Sequence, residues 1–380
     1  MKFRVDRDLL AESVAWAARS LPSRPSVPVL AGLLLEADSD GLRLSGFDYE
    51  TSARATLSAE VANEGRALVS GRLLADICRS LPPHQVEFSL EGQRVTLTCG
   101  SSRFTLQTMP VEDYPALPVM PETTGSVPAD TFTAAVSQAV AAAGRDDMLP
   151  LLTGVRVEIT GEQMVMMATD RFRASLVELS WSPTRSDAEG IALVPARVLA
   201  DTARSVTGGT DLGVALAPAG SGEGLIGFEG VVSEGSRRTT TRLLDGEFPR
   251  VRQLFATEPT STVWVETAPF VEALRRVALV AERNTAVRLS FESDRVVLEA
   301  GSGDEAQATE SLPAQLRGEP LLIGFNPTYL LDGLGVMSAP WCHLAFTQPT
   351  RPVSIAGCAE EQGEPNLAFR YLLMPLRTHG

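Results

Sequence analysis

Few side chains in this sequence could do covalent or acid–base chemistry, and their spacing gives them no partners. The three histidines are His84, His343 and His379, and none lies beside a serine or cysteine motif that would make a nucleophile–base pair. His84 follows LPP in an expected turn, the setting of a solvated histidine rather than a general base. Cys342 and His343 are adjacent, and on a strand neighbouring side chains point to opposite faces, so joint metal ligation is not expected. The four cysteines, Cys78, Cys99, Cys342 and Cys358, stand far apart with no CxxC pair and read as buried free thiols. Asp146-Asp147 is a carboxylate pair, but helical neighbours diverge by about 100°, and a solvated helix end or loop accounts for it. GEGLIG at 222–227 matches GxGxxG. A dinucleotide loop needs a strand before it and a helix after it, whereas the following FEGVVSEGSRRTTTRL is β-rich. The expectation is a chain with no catalytic group, no metal and no cofactor.

The elements around these residues are repeated. ALVSGRLLADICRSL at 67–81 reads as strand, turn and amphipathic helix, and IALVPARVLADTARSV at 191–206 repeats it. In the first helix Leu73, Leu74, Ile77 and Leu81 form the expected apolar face, with Arg72 and Arg79 nearly two turns apart outside it. The second copy has Val198, Leu199 and Val206, with Arg197 and Arg204 in the same line. VPVLAGLLLEA at 27–37 returns as MLPLLTGVRVEI at 148–159. LSGFDYETSARATL at 44–57 returns as MMATDRFRASLVEL at 166–179, and RFTLQTMPVEDYPAL at 103–117 as RTTTRLLDGEFPRVRQL at 238–254. LLIGFNPTYLLDGLGVM at 321–337 is a fainter third copy, with Asp332 where Asp76 and Asp201 stood. There Thr328 and Gly335 take the arginine places. Each copy opens with an expected helix, Arg7–Arg19, Asp130–Ala143 and Pro269–Glu282; Asp6 and Asp130 are candidate caps and Pro269 suits a first turn. Short alternating strands follow, so the coarse reading is three tandem domains of antiparallel sheet with two helices each, an α+β chain. Proline clusters place the domains at 1–120, 121–256 and 257–380.

Composition bounds the partners. The chain has 380 residues, 44% hydrophobic and 21% charged, with a formal net charge of −14. Such acidity excludes a whole-surface grip on nucleic acid. Lys2 is the sole lysine, so nearly every cation is an arginine, a planar fork suited to phosphate. Arg7, Arg19, Arg24, Arg145, Arg275, Arg276 and Arg283 extend the pattern. Helices set side by side would give a basic face that meets phosphates without reading bases. No apolar run approaches the roughly 20 residues that span a membrane, and MKFRVDRDLL lacks a signal-peptide core, so a cytoplasmic protein without membrane partners is expected.

The triple repeat, with LPSRPSVPVL, GSSRFTLQTMPVEDYPALP, ATDRFR, DGEFP, VALVAERNT, GFNPTYLLDGL and YLLMPLR, resembles the bacterial DNA polymerase III beta subunit, the replicative sliding clamp, in an actinobacterial form. The resemblance spans Met1 to Arg377. It implies the DNA-clamp fold: sheets outside, helices inside, each chain half of a closed ring, two chains head to tail around duplex DNA. It implies a processivity factor rather than an enzyme, with the polymerase III alpha subunit, a clamp loader and other proteins carrying a clamp-binding motif as partners. Candidate DNA-facing residues are then Arg24, Arg72, Arg79, Arg145, Arg197, Arg204, Arg275, Arg276 and Arg283. The family's partner cleft, between the second and third domains, carries over to Leu152, Thr169, Asp170, Arg171, Phe172, Arg173, Pro249, Gln253, Leu254, Leu372, Met374, Pro375, Leu376 and Arg377. Ring closure would set Phe104 and Leu106 against Leu279 and Val280.

Three departures from the family pattern fall at or beside this cleft: FPRVRQLF after the second-domain turn, Ala174 in place of a larger apolar residue, and the Arg377-Thr378 ending. They allow a second reading, a diverged clamp copy that still supports replication but weakens a cleft-binding antibiotic. A repetitive β-rich scaffold that binds proteins without encircling DNA, and a hydrolase with an unrecognised site, are the readings from other classes.

Overall fold

The computed structural model describes residues 1–206, 211–217, 224–232, 235–256, 258–282, 285–301, 306–348 and 350–376. They divide into two compact units: Met1–Thr133, Trp181–Gly190 and Asp201–Leu243 in the first, and Ala134–Ser180, Ile191–Ala200 and Leu244–Gly380 in the second.

The α-helices of the described residues are α1 (Arg7–Ala17), α2 (Gly71–Ser80), α3 (Ala129–Val140), α4 (Ala196–Ser205), α5 (Thr267–Val277) and α6 (Pro327–Gly335). Asp6 caps α1 by accepting from the Asp8 and Leu9 backbone N–H groups. Asp130, expected as a cap, instead lies inside the first turn of α3, where its charge still meets the positive helix end. Asn326 caps α6, whose first residue is Pro327. α1 packs on α2 in the first unit, and α5 on α6 in the second. In α2, Leu74 and Ile77 are buried with Leu81 beyond the helix end, but Leu73, expected among them, is 50% exposed and lies beside Arg72. The first unit's main core joins these helices to both of its sheets, with Phe3 and Phe88 stacked at 4.7 Å.

The strands pair antiparallel, as at Gly235–Arg242 against Thr51–Leu57 and at Arg173–Ser180 against Asn366–Leu373. In the first unit a five-stranded sheet runs Glu60–Asn63, Lys2–Val5, Val86–Glu91, Arg94–Cys99, Ser102–Gln107. A nine-stranded sheet runs Ser182–Pro183, Gly125–Pro128, Asp211–Leu216, Leu225–Val232, Gly235–Arg242, Thr51–Leu57, Gly41–Phe47, Gly32–Asp38, Gly65–Ser70. Sequence repeats therefore fuse edge to edge, through Gly235–Arg242 against Thr51–Leu57. The second unit repeats the device. Its nine-stranded sheet runs Glu189–Pro195, Gly154–Thr160, Gln163–Thr169, Arg173–Ser180, Asn366–Leu373, Val353–Cys358, Trp341–Phe346, Ser261–Glu266, Gln315–Arg317, fused where Arg173–Ser180 meets Asn366–Leu373. A four-stranded sheet, Ala308–Pro313, Arg295–Ala300, Val287–Phe291, Leu321–Phe325, completes it.

Strand Gln163–Thr169 is buried from Met164 onward. A strand covered on both faces needs a continuous apolar run, and MVMMA supplies it. Val165 and Met167 turn to one face, where Phe248 and Val251 of the connecting segment cover them. That covered face is where the cleft residues gather.

Candidate functional site

The cleft begins with a tight turn. Thr169-Asp170-Arg171-Phe172 links strands Gln163–Thr169 and Arg173–Ser180. Asp170 Oδ1 accepts from the backbone N–H groups of Phe172 (3.0 Å) and Arg173 (3.1 Å), and Thr169 Oγ1 donates to the Arg173 carbonyl at 2.7 Å. These bonds hold Arg171 at φ 81°, a left-handed conformation that a non-glycine residue adopts only when its surroundings impose it. The turn presents Arg171 and Phe172 outward, and the Phe172 ring stacks against Tyr329 of α6 at 6.3 Å.

Behind it Arg173 is buried, its side chain 3% exposed. Asp170 meets its Nε at 2.9 Å and Asp332 of α6 its Nη1 at 2.6 Å. The guanidinium lies 4.2 Å from the Tyr329 ring centre, and Nη1 donates to Tyr371 Oη at 3.3 Å. Tyr371 in turn donates to the Tyr329 carbonyl at 2.8 Å. A buried cation is tolerable only when so paired. The network ties the turn, α6 and the last strand into one rigid wall. Burial pushes the Tyr371 hydroxyl far up, with Arg173 opposing, so it stays protonated as a donor.

The floor is apolar: Val165, Met167, Ala174, Leu176, Leu193, Phe248, Val251 and Leu372 are buried together, with Leu151, Leu244 and Phe255 at the rim. Ala174 and Leu372 face one another across the fused strands. Met374, Pro375 and Leu376 are half-buried, and two backbone bonds pin their segment, Met374 N–H to the Phe172 carbonyl and Leu376 N–H to the Gly324 carbonyl, both 2.8 Å. Pro249, Gln253 and Leu254 lie exposed along the connecting segment. Arg252 pairs with Glu158. Leu152 is buried, with its carbonyl accepting from Gly144 N–H at 2.7 Å, while Leu151 borders the floor. Arg377 lies outside the described residues. Sequence reasoning named the turn and the final strand but missed Phe248, Val251 and Leu176. The signal was the FP dipeptide, an aromatic directly after the polar Asp245-Gly246-Glu247.

Among the arginines expected to face DNA, Arg24, Arg72, Arg79, Arg145, Arg197, Arg204, Arg275 and Arg276 are all exposed. Arg283 lies outside the described residues. Arg24 and Arg275 form no ion pair with a described residue. Arg72 donates to the Pro22 carbonyl at 3.2 Å. The repeated aspartates, whose purpose the sequence left open, pair one turn on: Asp76 with Arg79 at 3.2 Å and Asp201 with Arg204. Asp332, the third copy's equivalent, instead serves Arg173 and sits 3.8 Å from Arg145. Arg276 is bound by Glu310, which lowers that carboxyl below its usual range.

Of the four residues expected at ring closure, Leu106 is buried in the first unit's core and Phe104 is half-buried on the same edge strand. Leu279 is 84% exposed and Val280 half-buried, just beyond α5.

The other chemical candidates fall to structural roles. Asp146 caps its own loop through Met148 N–H, and Leu225–Gly227 of the glycine-rich stretch enters a strand rather than a helix. Cys342 and His343 are both buried, with His343 packed on Trp264 at 4.9 Å. Among the described residues no three His, Cys, Asp or Glu side chains gather as metal ligands, and no helix is long and apolar enough to cross a membrane.

Antiparallel sheets packed on helices in repeated order, exposed arginines and an apolar cleft are the features of the DNA sliding-clamp class. Models of the DNA polymerase III beta subunit match the chain in order: the N-terminal domain over residues 1–118, the central domain over 126–250 and the C-terminal domain over 252–377. Over the full length of both chains, the sequence is 57% identical to the beta sliding clamp of Streptomyces coelicolor. It is 44% identical over 379 residues, the full length of both, to the beta sliding clamp homolog GriR of Streptomyces muensis. The sliding clamp of Pseudomonas aeruginosa, solved with griselimycin bound, superposes with a TM-score of 0.89 at 25% identity, covering all of both chains. The chain belongs to the DNA polymerase III beta subunit family, in its actinobacterial form, and is a non-catalytic processivity factor whose partners are DNA and polymerase.

Proposed function

We propose that two copies of this chain close head to tail around duplex DNA and tether the polymerase III alpha subunit, the clamp loader and other motif-bearing proteins through the Thr169–Arg173 cleft. The observation that carries ring closure is a pair of unused strand edges. Within the chain, Gly235–Arg242 of the second repeat pairs with Thr51–Leu57 of the first, and Asn366–Leu373 of the third pairs with Arg173–Ser180 of the second. The remaining members of these two strand classes are Ser102–Gln107 and Ala308–Pro313. Each is an edge strand of its own sheet. An unpaired edge is a template for another chain, and a head-to-tail contact repeats the joint the chain already uses twice. Phe104 on one edge and exposed Leu279, beside α5 and its Glu310 link to the other, supply apolar contact there.

Such a ring retains DNA by topology, so its DNA contacts need only be weak and unspecific, as arginines along helices provide. A domain partition at 1–120, 121–256 and 257–380 is the natural one for this reading. The cleft suits an extended peptide: an apolar floor for its side chains, with Arg171 at the rim for its polar end. Primer extension on a singly primed circle, with polymerase, loader and ATP, tests the proposal. Products should lengthen several-fold when the chain is added; unchanged product length would overturn it.

Ala174 on the cleft floor favours a second reading, in which this copy tolerates a cleft-binding antibiotic. The P. aeruginosa clamp binds griselimycin in its solved structure. Weaker griselimycin binding here than to the S. coelicolor clamp, with equal affinity for a polymerase peptide, supports this reading; equal affinities for both ligands end it.

A further inference from the structure

The first unit contains the cleft's frame a second time, with different chemistry. Asp48 builds the same turn as Asp170: its Oδ1 accepts from Glu50 N–H (3.0 Å) and Thr51 N–H (2.6 Å), and Tyr49 sits at φ 74° where Arg171 sits at 81°. Cross-strand partners also correspond. Ser52 opposite Thr240 stands where Ala174 faces Leu372, and Arg54 opposite Arg238 stands where Leu176 faces Arg370. The buried aromatic of the connecting segment is Tyr114 in place of Phe248, each followed by proline. The frame is kept, while its apolar Ala174–Leu372 pair becomes polar and Leu176 opposite an arginine becomes an arginine opposite an arginine.

Between this sheet face and the 117–120 segment lies a cavity of about 160 Å³, with Ser52, Arg54, Arg238 and Thr240 on its floor and Pro118 and Met120 on its wall. Gly227, the last glycine of GEGLIG, makes that wall possible: a Cβ there would come within 2.6 Å of Met120 Cγ. The volume is below the roughly 300 Å³ of an ordinary small-molecule pocket and fits a single side chain.

Its charge is unbalanced. Arg238 has Glu229 at 2.7 Å, but its buried Nε has no partner. Arg54 donates to Ser45 Oγ at 3.3 Å and forms no ion pair with a described residue. Burial, with Arg238 and Arg43 nearby and only Glu36 opposing, depresses its proton affinity. Like charges directly opposite across strands destabilise a sheet. An anion between them would remove that penalty, and a carboxylate accepts from two such forks.

We propose that the Arg54–Arg238 pocket is a second docking site, which receives an Asp or Glu side chain of an extended acidic peptide. Val119, 86% exposed beside the mouth, offers apolar contact to a neighbouring peptide residue. The site stands on its own geometry and holds even if no peptide enters the Thr169–Arg173 cleft.

The test uses the full chain and two labelled capped pentapeptides, Ac-Val-Glu-Leu-Glu-Val-NH2 and its Gln counterpart, by fluorescence anisotropy at low salt. The acidic peptide should bind about tenfold more tightly than the neutral one, the scale of one charge-assisted contact. In Arg54→Gln that preference should vanish, and Arg54→Lys should keep part of it. Should Arg54→Gln fail to fold, Arg54→Leu, which installs the residue type of position 176, takes its place. A preference that survives loss of the Arg54 charge overturns the proposal. So does inorganic phosphate binding as tightly as the peptide and equally lost in Arg54→Gln, which would make the pocket a simple anion site.

Discussion

Asp170 carries a cost that can be worked from its contacts. Replacing it with alanine removes two bonds from backbone N–H groups, each contributing about 1 kcal/mol net. It also removes the 2.9 Å charge-assisted bond from Arg173, about 2 kcal/mol, while Asp332 remains to hold that arginine. Asp170→Ala should therefore destabilise the second unit by about 4 kcal/mol. Asp48→Ala provides the internal control, since Asp48 holds the same turn with two backbone bonds and no arginine, for about 2 kcal/mol. Hydrogen exchange resolves the two units: protection of Gln163–Thr169 amides should fall in Asp170→Ala, and that of Gly32–Asp38 amides should fall less in Asp48→Ala. Polymerase-peptide affinity should drop in the first variant alone, because Arg171 and Phe172 lose their platform. Equal losses of protection in the two variants would mean that the Asp170–Arg173 bond contributes nothing beyond the turn, against the expected difference.

Other consequences are sharp enough to measure. Burial pushes the Cys78 thiol up to about 12, and all four cysteines are buried, so a thiol reagent at pH 8 should find none in the native protein and four after denaturation. Burial lowers the His343 pKa below 6.5, partly opposed by Glu364. The folded chain then binds its proton less readily than the unfolded chain, so stability present above pH 6.5 should decline as pH falls, and His343→Gln should flatten that decline in chemical denaturation. Leu279→Asp places a charge on an 84% exposed apolar residue and should shift sedimentation from dimer toward monomer. Arg24→Ala should reduce the salt dependence of DNA retention by about one unit of log–log slope, uniformly across sequences.

The order of elements was legible because the repeats keep their spacing, and Thr169–Arg173 was placed at the cleft by the family resemblance of ATDRFR; that Asp170 caps a tight turn there became visible only in the structure. What escaped was long-range. Nothing local shows that Asp332 leaves the helix line of Asp76 and Asp201 to reach Arg173, because the partner lies 159 positions away. Leu73 read as core by spacing, yet its place on α2 falls beside Arg72, outside the packed face. Phe248 and Val251 were missed because a connecting segment carries no periodicity, and their burial comes from the sheet face beneath them. The polar twin of the cleft was hidden since Arg54 and Arg238 meet only through strand register.

A ring around DNA can be distinguished from a surface binder by retention. Loaded onto a nicked circular plasmid, the chain should stay bound through gel filtration at moderate salt and be lost within minutes once a single cut makes the plasmid linear. Equal retention on circle and linear DNA, or none on either, would contradict a ring held by topology.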